Sequence, residues 1–136
     1  MKIEVSHESP ISCLDRSLEY NDYAYALVHL FETRPEYYSF FKVLRNTTNV
    51  PVLLDNSIFE LGTAFDPDKY THWINVLNPN YYIVPDVLGD ANATMASWED
   101  FFTNHYSVPD RASTFVDERA IGVVTGSDWN DIVECY

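Results

Sequence analysis

Short apolar runs alternate with longer amphipathic stretches along this chain, and that rhythm constrains the fold more than any single residue does. The runs 24–30, 50–54, 81–85 and 121–124 are apolar on both faces, from Ala24 to Leu30, Val50 to Leu54, Tyr81 to Pro85 and Ile121 to Val124. Strands of that kind belong to parallel sheets covered by helices. Between them, Pro35 is placed to begin a helix, and Tyr37, Phe40, Phe41 and Leu44 follow at helical spacing. Asp66 and Pro67 read as N-cap and first helical residue of a second helix, whose apolar face is Tyr70, Trp73, Ile74 and Leu77. Asp90 reads as the N-cap of a third, running from Ala91 to Phe102.

The remaining segments follow the same logic. Asn46 to Asn49 and Asn78 to Asn80 read as turns, and residues 55–65 and 106–110 as loops. A short helix is expected near 113–118, and another after Thr125, Gly126 and Ser127. A short alternation over Lys2 to Val5 suggests an earlier strand. Strand starts near 24, 51, 81 and 120 suit successive right-handed crossovers. Four or five such units make either a small open α/β sheet or about half of a (β/α)8 barrel, which needs roughly 250 residues. No glycine follows the first candidate strand in Ser6 to Pro10, so the nucleotide-binding doubly wound fold lacks its signature.

Composition narrows the partners. The 136 residues carry a net charge of -13, and the imbalance is concentrated beyond residue 50. Strong acidity argues against a free-standing nucleic-acid binder, because neutralising phosphates needs a basic face. Aromatic residues make up 15%, too many for a disordered segment. Cys13 and Cys135 form no CxxC pair and no histidine stands at metal-ligand spacing, so neither a disulfide framework nor a metal site is expected. With no leader-like N-terminus and no long apolar run, the expectation is a soluble, cytoplasmic protein without membrane contact.

Two carboxylates stand out by position. Asp55 ends the 50–54 run and Asp86 ends the 81–85 run. The C-terminal ends of parallel strands are where β/α folds place their catalytic groups. Each Asp could equally cap a helix or fix a βα loop. Two such groups in one cavity can divide acid and base roles when their surroundings separate their pKa values. His29 reads as a core histidine inside its strand, His72 and His105 as solvated, and His7 as a possible rim residue. The Tyr and Phe residues at helical spacing read as core.

Three segments, in order and at matching approximate spacing, resemble the tRNA-guanine transglycosylases. Val52 to Glu60, with Asp55, Asn56, Ser57 and Ile58, is similar to the family's strand-Asp-Ser-Gly-Gly-Phe-Gln motif. Tyr82 to Val87 is similar to its later strand ending in Asp, and Ile121 to Ser127 to its Gly-Ile-Val-Gln-Gly-Gly loop. The phrases His7 to Pro10 and Asp86 to Asp90 resemble a phage-type branch that exchanges guanine for 7-deazaguanines in DNA. The resemblance implies α/β architecture, with parallel β/α units forming the first half of a TIM-type barrel and residues 1–136 as one partial domain. It also implies base exchange at an N-glycosidic bond, in DNA rather than tRNA, and the host cytoplasm if phage-encoded.

By motif match, Asp55 would be the catalytic acid/base that touches the base, and Asp86 would bond the Watson–Crick edge of guanine or a 7-deazaguanine. Thr125 and Gly126 would line the base pocket, with Asn56 and Ser57 forming its wall. Here Asn56, Ser57 and Ile58 replace Ser-Gly-Gly and Thr125 replaces Gln, so that wall must differ. The family's nucleophilic Asp and Cys/His zinc cluster belong to the second barrel half, so no cofactor is expected within this chain. An open half-barrel edge invites a second chain or self-association. Two other readings are a non-catalytic half-barrel interaction module and a small α/β enzyme using Asp55 and Asp86 on a nucleoside or sugar.

The expectation is that this chain alone exchanges no guanine and binds nucleic acid weakly. Incubation with labelled 7-deazaguanine base and DNA or tRNA tests it, and appreciable incorporation would overturn it.

Overall fold

The computed structural model describes residues 3–106 and 117–135. A 3-10 turn, Ile11–Cys13, leads into α1 (Leu14–Ser17), then β1 (Ala24–Leu27), α2 (Val28–Thr33), α3 (Pro35–Thr47) and β2 (Val52–Asp55). After these come α4 (Ile58–Leu61), α5 (Pro67–Leu77), β3 (Tyr81–Ile83), α6 (Ala91–Asp100), β4 (Ala120–Ile121) and α7 (Trp129–Cys135). The strands form one sheet in the order β1-β2-β3-β4, and every neighbouring pair is parallel.

Register sorts the strand residues into two faces, because successive side chains point to opposite sides. Ala26, Leu54, Tyr82 and Ala120 are aligned across the sheet. With Ala24, Val52 and Val84 they meet Phe31, Tyr37, Phe41, Leu44, Tyr70, Ile74, Leu77 and Phe101 in one core. Phe31 is the hub of its aromatic part, with ring centroids 5.4 Å from Tyr38 and Trp73 and 5.7 Å from Tyr37. Tyr70 is fully buried, and its hydroxyl meets the carbonyls of Leu54 and Ile83 at 3.1 and 2.8 Å, tying α5 to β2 and β3. The other face carries Tyr25, Leu53 and Tyr81 in one row, and Leu27, Asp55, Ile83 and Ile121 in the next.

The capping residues act as expected. Asp66 accepts from the Lys69 N–H and Asp90 from the Ala93 N–H, each at 2.9 Å. Other boundaries differ, for physical reasons. β1 stops at Leu27 rather than Leu30, because the Leu27 N–H turns to the Tyr37 hydroxyl and the His29 N–H to Ser57 Oγ, which opens α2. A buried apolar run looks the same in either conformation. The 55–65 loop contains α4, closed by Gly62 in the left-handed region at φ 68°. The third helix passes at Phe101–His105 into a π turn.

Ile3 to Val5 form no strand, though the Asp22 N–H reaches the Val5 carbonyl at 2.9 Å and holds them beside the start of β1. β4 is two residues long and ends at Ile121 rather than Val124. Residues 113–116 of the helix expected near 113–118, and most of the 106–110 loop, lie outside the described residues, and Asp117 and Glu118 are not helical. His105 is partly covered: it contacts Asp68 at 2.8 Å and Asp100 at 3.3 Å. Among the described residues, no helix is long and apolar enough to cross a membrane.

A charged cluster anchors the entry to β4. The Arg119 guanidinium reaches Asp117 Oδ2 at 2.6 Å, Asn78 Oδ1 at 2.8 Å and the Tyr106 hydroxyl at 3.2 Å, and lies 5.8 Å from the Tyr82 ring centroid. Tyr106 also donates to Asp117, which is 3% exposed. Burial opposes the Asp117 charge, but the bonds from Arg119 and Tyr106 override it and hold the carboxyl well below its usual range. A depressed carboxyl stabilises the fold above its unfolded pKa and loses that contribution as pH falls. Replacing Asp117 by Asn should cost about 3 kcal/mol at neutral pH. Urea unfolding should show the gap from the native chain narrowing below about pH 4.

Candidate functional site

β2 and β3 end side by side, and their last residues build one rim. Asp55 closes β2 at the edge of the open face, with both carboxylate oxygens engaged. Oδ1 accepts from the Ser57 N–H at 2.6 Å and Oδ2 from the Tyr25 hydroxyl at 2.7 Å. The first bond is an Asx turn, the local geometry short Asp side chains favour. It is aimed by Ser57, which holds φ 60° and ψ 24°. A non-glycine residue there costs about 1 kcal/mol or more. Ser57 is fully buried, and its hydroxyl accepts from the His29 N–H at 3.3 Å, so the β1–α2 and β2–α4 turns are tied together.

Asn56 joins this turn to β3. Its Nδ2 donates to Val84 O at 3.1 Å and to Asp86 Oδ1 at 2.8 Å, while its Oδ1 accepts from the Ile58 N–H at 3.0 Å. Asp86 lies three residues past β3 and is 3% exposed. The next residue, Val87, is held through both its N–H and its carbonyl by the buried Thr94 hydroxyl of α6. Burial pushes the Asp86 carboxyl above its usual range and the charge of Asp55 adds to that push, against the opposing bond from Asn56. The two carboxylates therefore differ: each Asp55 oxygen takes one donor, whereas Asp86 is buried and holds its proton more tightly than an ordinary Asp.

The motif residues are brought together unevenly. Asp55, Asn56, Ser57 and Asp86 form one connected constellation. Thr125 joins its edge, its Oγ1 accepting from the Gly89 N–H at 2.9 Å, which links the loop after β4 to the loop after β3. Gly126 sits against the start of α7, where a Cβ would lie 2.6 Å from Asp131 Cβ. Asn56 and Ser57 are buried with their side chains engaged inside the protein. Beside the constellation lies a cleft of about 350 Å³ lined by Ile58, Gly62, Thr63, Ala64, Val87 and Leu88.

Two contributors lie outside the motif residues. Tyr25 read only as one residue of an apolar run, and its reach to Asp55 needs the β1–β2 register. His29 sits in α2 at the rim rather than inside a strand, and its Nδ1 is buried without a hydrogen-bond partner. Comparison with known family models, curated proteins and solved structures finds no match.

The raised Asp86 carboxyl has a defined sign in stability. A carboxyl whose folded pKa is raised stabilises fully below the unfolded value, about pH 3.9, and loses that contribution as pH rises. Asp86→Asn keeps an oxygen for the Asn56 amide and removes the buried charge. It should raise the urea midpoint at pH 7 and lose that advantage below about pH 4. A lower midpoint at pH 7 would contradict this account.

Proposed function

We propose that this chain is the base-recognising part of a (β/α)-barrel enzyme that exchanges guanine for a 7-deazaguanine base in nucleic acid, as in the tRNA-guanine transglycosylases. The observation that carries the reading is the Asp55–Asn56–Asp86 constellation at the ends of two adjacent parallel strands. The Watson–Crick edge of guanine offers N1–H and N2–H donors side by side, and a fixed carboxylate can accept both. In this reading Asp86 takes that edge, Asp55 moves the proton on the base, and the Thr125–Gly126 loop closes one side. DNA is the favoured substrate over tRNA, and the setting is the cytoplasm.

The sheet supports the barrel part of the proposal. Strand order without reversal, together with helices packed against the Ala26–Leu54–Tyr82 side, is the arrangement of one arc of a barrel. The opposite rows would then face the barrel interior, and a parallel sheet needs cover on both sides. Further β/α units would supply that cover, and with it the nucleophilic carboxylate, any zinc site and the basic surface that nucleic acid requires.

A second reading draws on exposed apolar side chains in the loops after β2 and β3, where Phe59, Leu61 and Leu88 are 81%, 43% and 53% exposed. Large exposed apolar groups favour a protein interface, so the chain would act as an interaction module.

Calorimetry with guanine, 7-deazaguanine and adenine separates the two. Base recognition expects the first two to bind and adenine not to bind. Loss of a charge-assisted bond pair in Asp86→Asn should weaken guanine roughly ten- to a hundredfold. Absence of binding by the native chain, or native affinity in Asp86→Asn, would leave the interaction module as the better account.

A further inference from the structure

The Tyr25 hydroxyl sits 2.7 Å from Asp55 Oδ2 and reaches that carboxylate from the neighbouring strand. We infer that Tyr25 is a positioning residue for Asp55, holding the carboxylate plane so that its remaining lone pairs face the open side of the sheet. The inference rests on the reading of Asp55 given above.

Register explains why this residue can do it. Leu27 pairs with Asp55 across β1 and β2, and Tyr25 lies two residues before Leu27, hence on the same face. A tyrosine ring is long enough to cross that diagonal and end at the carboxylate. The two donors on Asp55 then come from different directions, the Ser57 N–H from the turn that follows and the Tyr25 hydroxyl from the neighbouring strand. One bond alone would leave the carboxylate free to rotate about it; two fix its plane. Burial, followed by the hydrogen bond to Asp55 and then that carboxylate's charge, pushes the Tyr25 hydroxyl above its usual pKa, so it remains a donor across the physiological range. Tyr25 thus supplies a proton to the hydrogen bond without competing as a base.

Tyr25→Phe removes one oxygen and keeps the ring, and Tyr81→Phe, in the same row two strands away, is the control. Two readouts separate the claims. In calorimetry against guanine, Tyr25→Phe should weaken binding about tenfold, the effect of roughly 1.4 kcal/mol.

Carbon NMR of the Asp55 side-chain carboxyl provides the second readout and needs no ligand. Tyr25→Phe should shift this resonance, whereas Tyr81→Phe should leave it in place. An unmoved Asp55 carboxyl resonance in folded Tyr25→Phe would overturn the inference, whether or not guanine binds. Failure of the native chain to bind guanine, with the Asp55 carboxyl resonance still moved by Tyr25→Phe, would remove the base-exchange reading and leave the positioning role standing. If Tyr25→Phe does not fold by circular dichroism, Asp55→Asn replaces it. The Tyr25 ring Cζ resonance should then move, and an unmoved Cζ would refute the bond.

Discussion

The side chain of Asn56 is almost wholly buried, and its two donors and one acceptor must all be satisfied within the protein. Its amide can do so in one orientation only, with the oxygen toward the Ile58 N–H and the nitrogen toward Val84 O and Asp86. That requirement joins the ends of β2 and β3 and fixes where α4 starts. It also holds the Asp86 carboxyl against a strand end, where burial acts on its pKa. Burial sets the character of Asp86, and the Asn56 amide bond works against it.

The two sides of the sheet have opposite needs. On the helix side the aromatic cluster around Phe31 packs into the core, and the Tyr70 hydroxyl ties β2 to β3. On the other side the rows of Tyr25, Leu53, Tyr81, Leu27, Ile83 and Ile121 are apolar except for Asp55. An acid on such a surface needs donors beside it. Tyr25 and the strained Ser57 turn provide them. Ser57 occupies a left-handed conformation that glycine would adopt without strain, and it stands where the resembled motif has glycine. Its hydroxyl gives something glycine lacks, a bond to the start of α2.

Much of the framework was legible before any coordinates. Pro35, Asp66 and Asp90 announce helix starts because their chemistry is local: a fixed φ or a short oxygen acceptor acts within one turn. Apolar runs announced four strands for the same reason. Their ends were less legible, since Val28 to Leu30 are as apolar in α2 as they would be in β1. Of the site, Asp55 and Asp86 were visible by position at strand ends. Tyr25 and the engagement of Asn56 were not, because neither has meaning until β1, β2 and β3 are in register.

The sequence by itself determined the alternation of strands and helices, the caps, and the placement of two acids at strand ends, all of which depend on residues within a few positions of one another. Tertiary structure alone decided which groups meet those acids, which acid is buried, and which side of the sheet the helices cover. Those outcomes depend on contacts such as Tyr25 with Asp55 and Asn56 with Asp86, thirty residues apart in the chain. No local pattern encodes such distances, and only the parallel register brings them to hydrogen-bonding range.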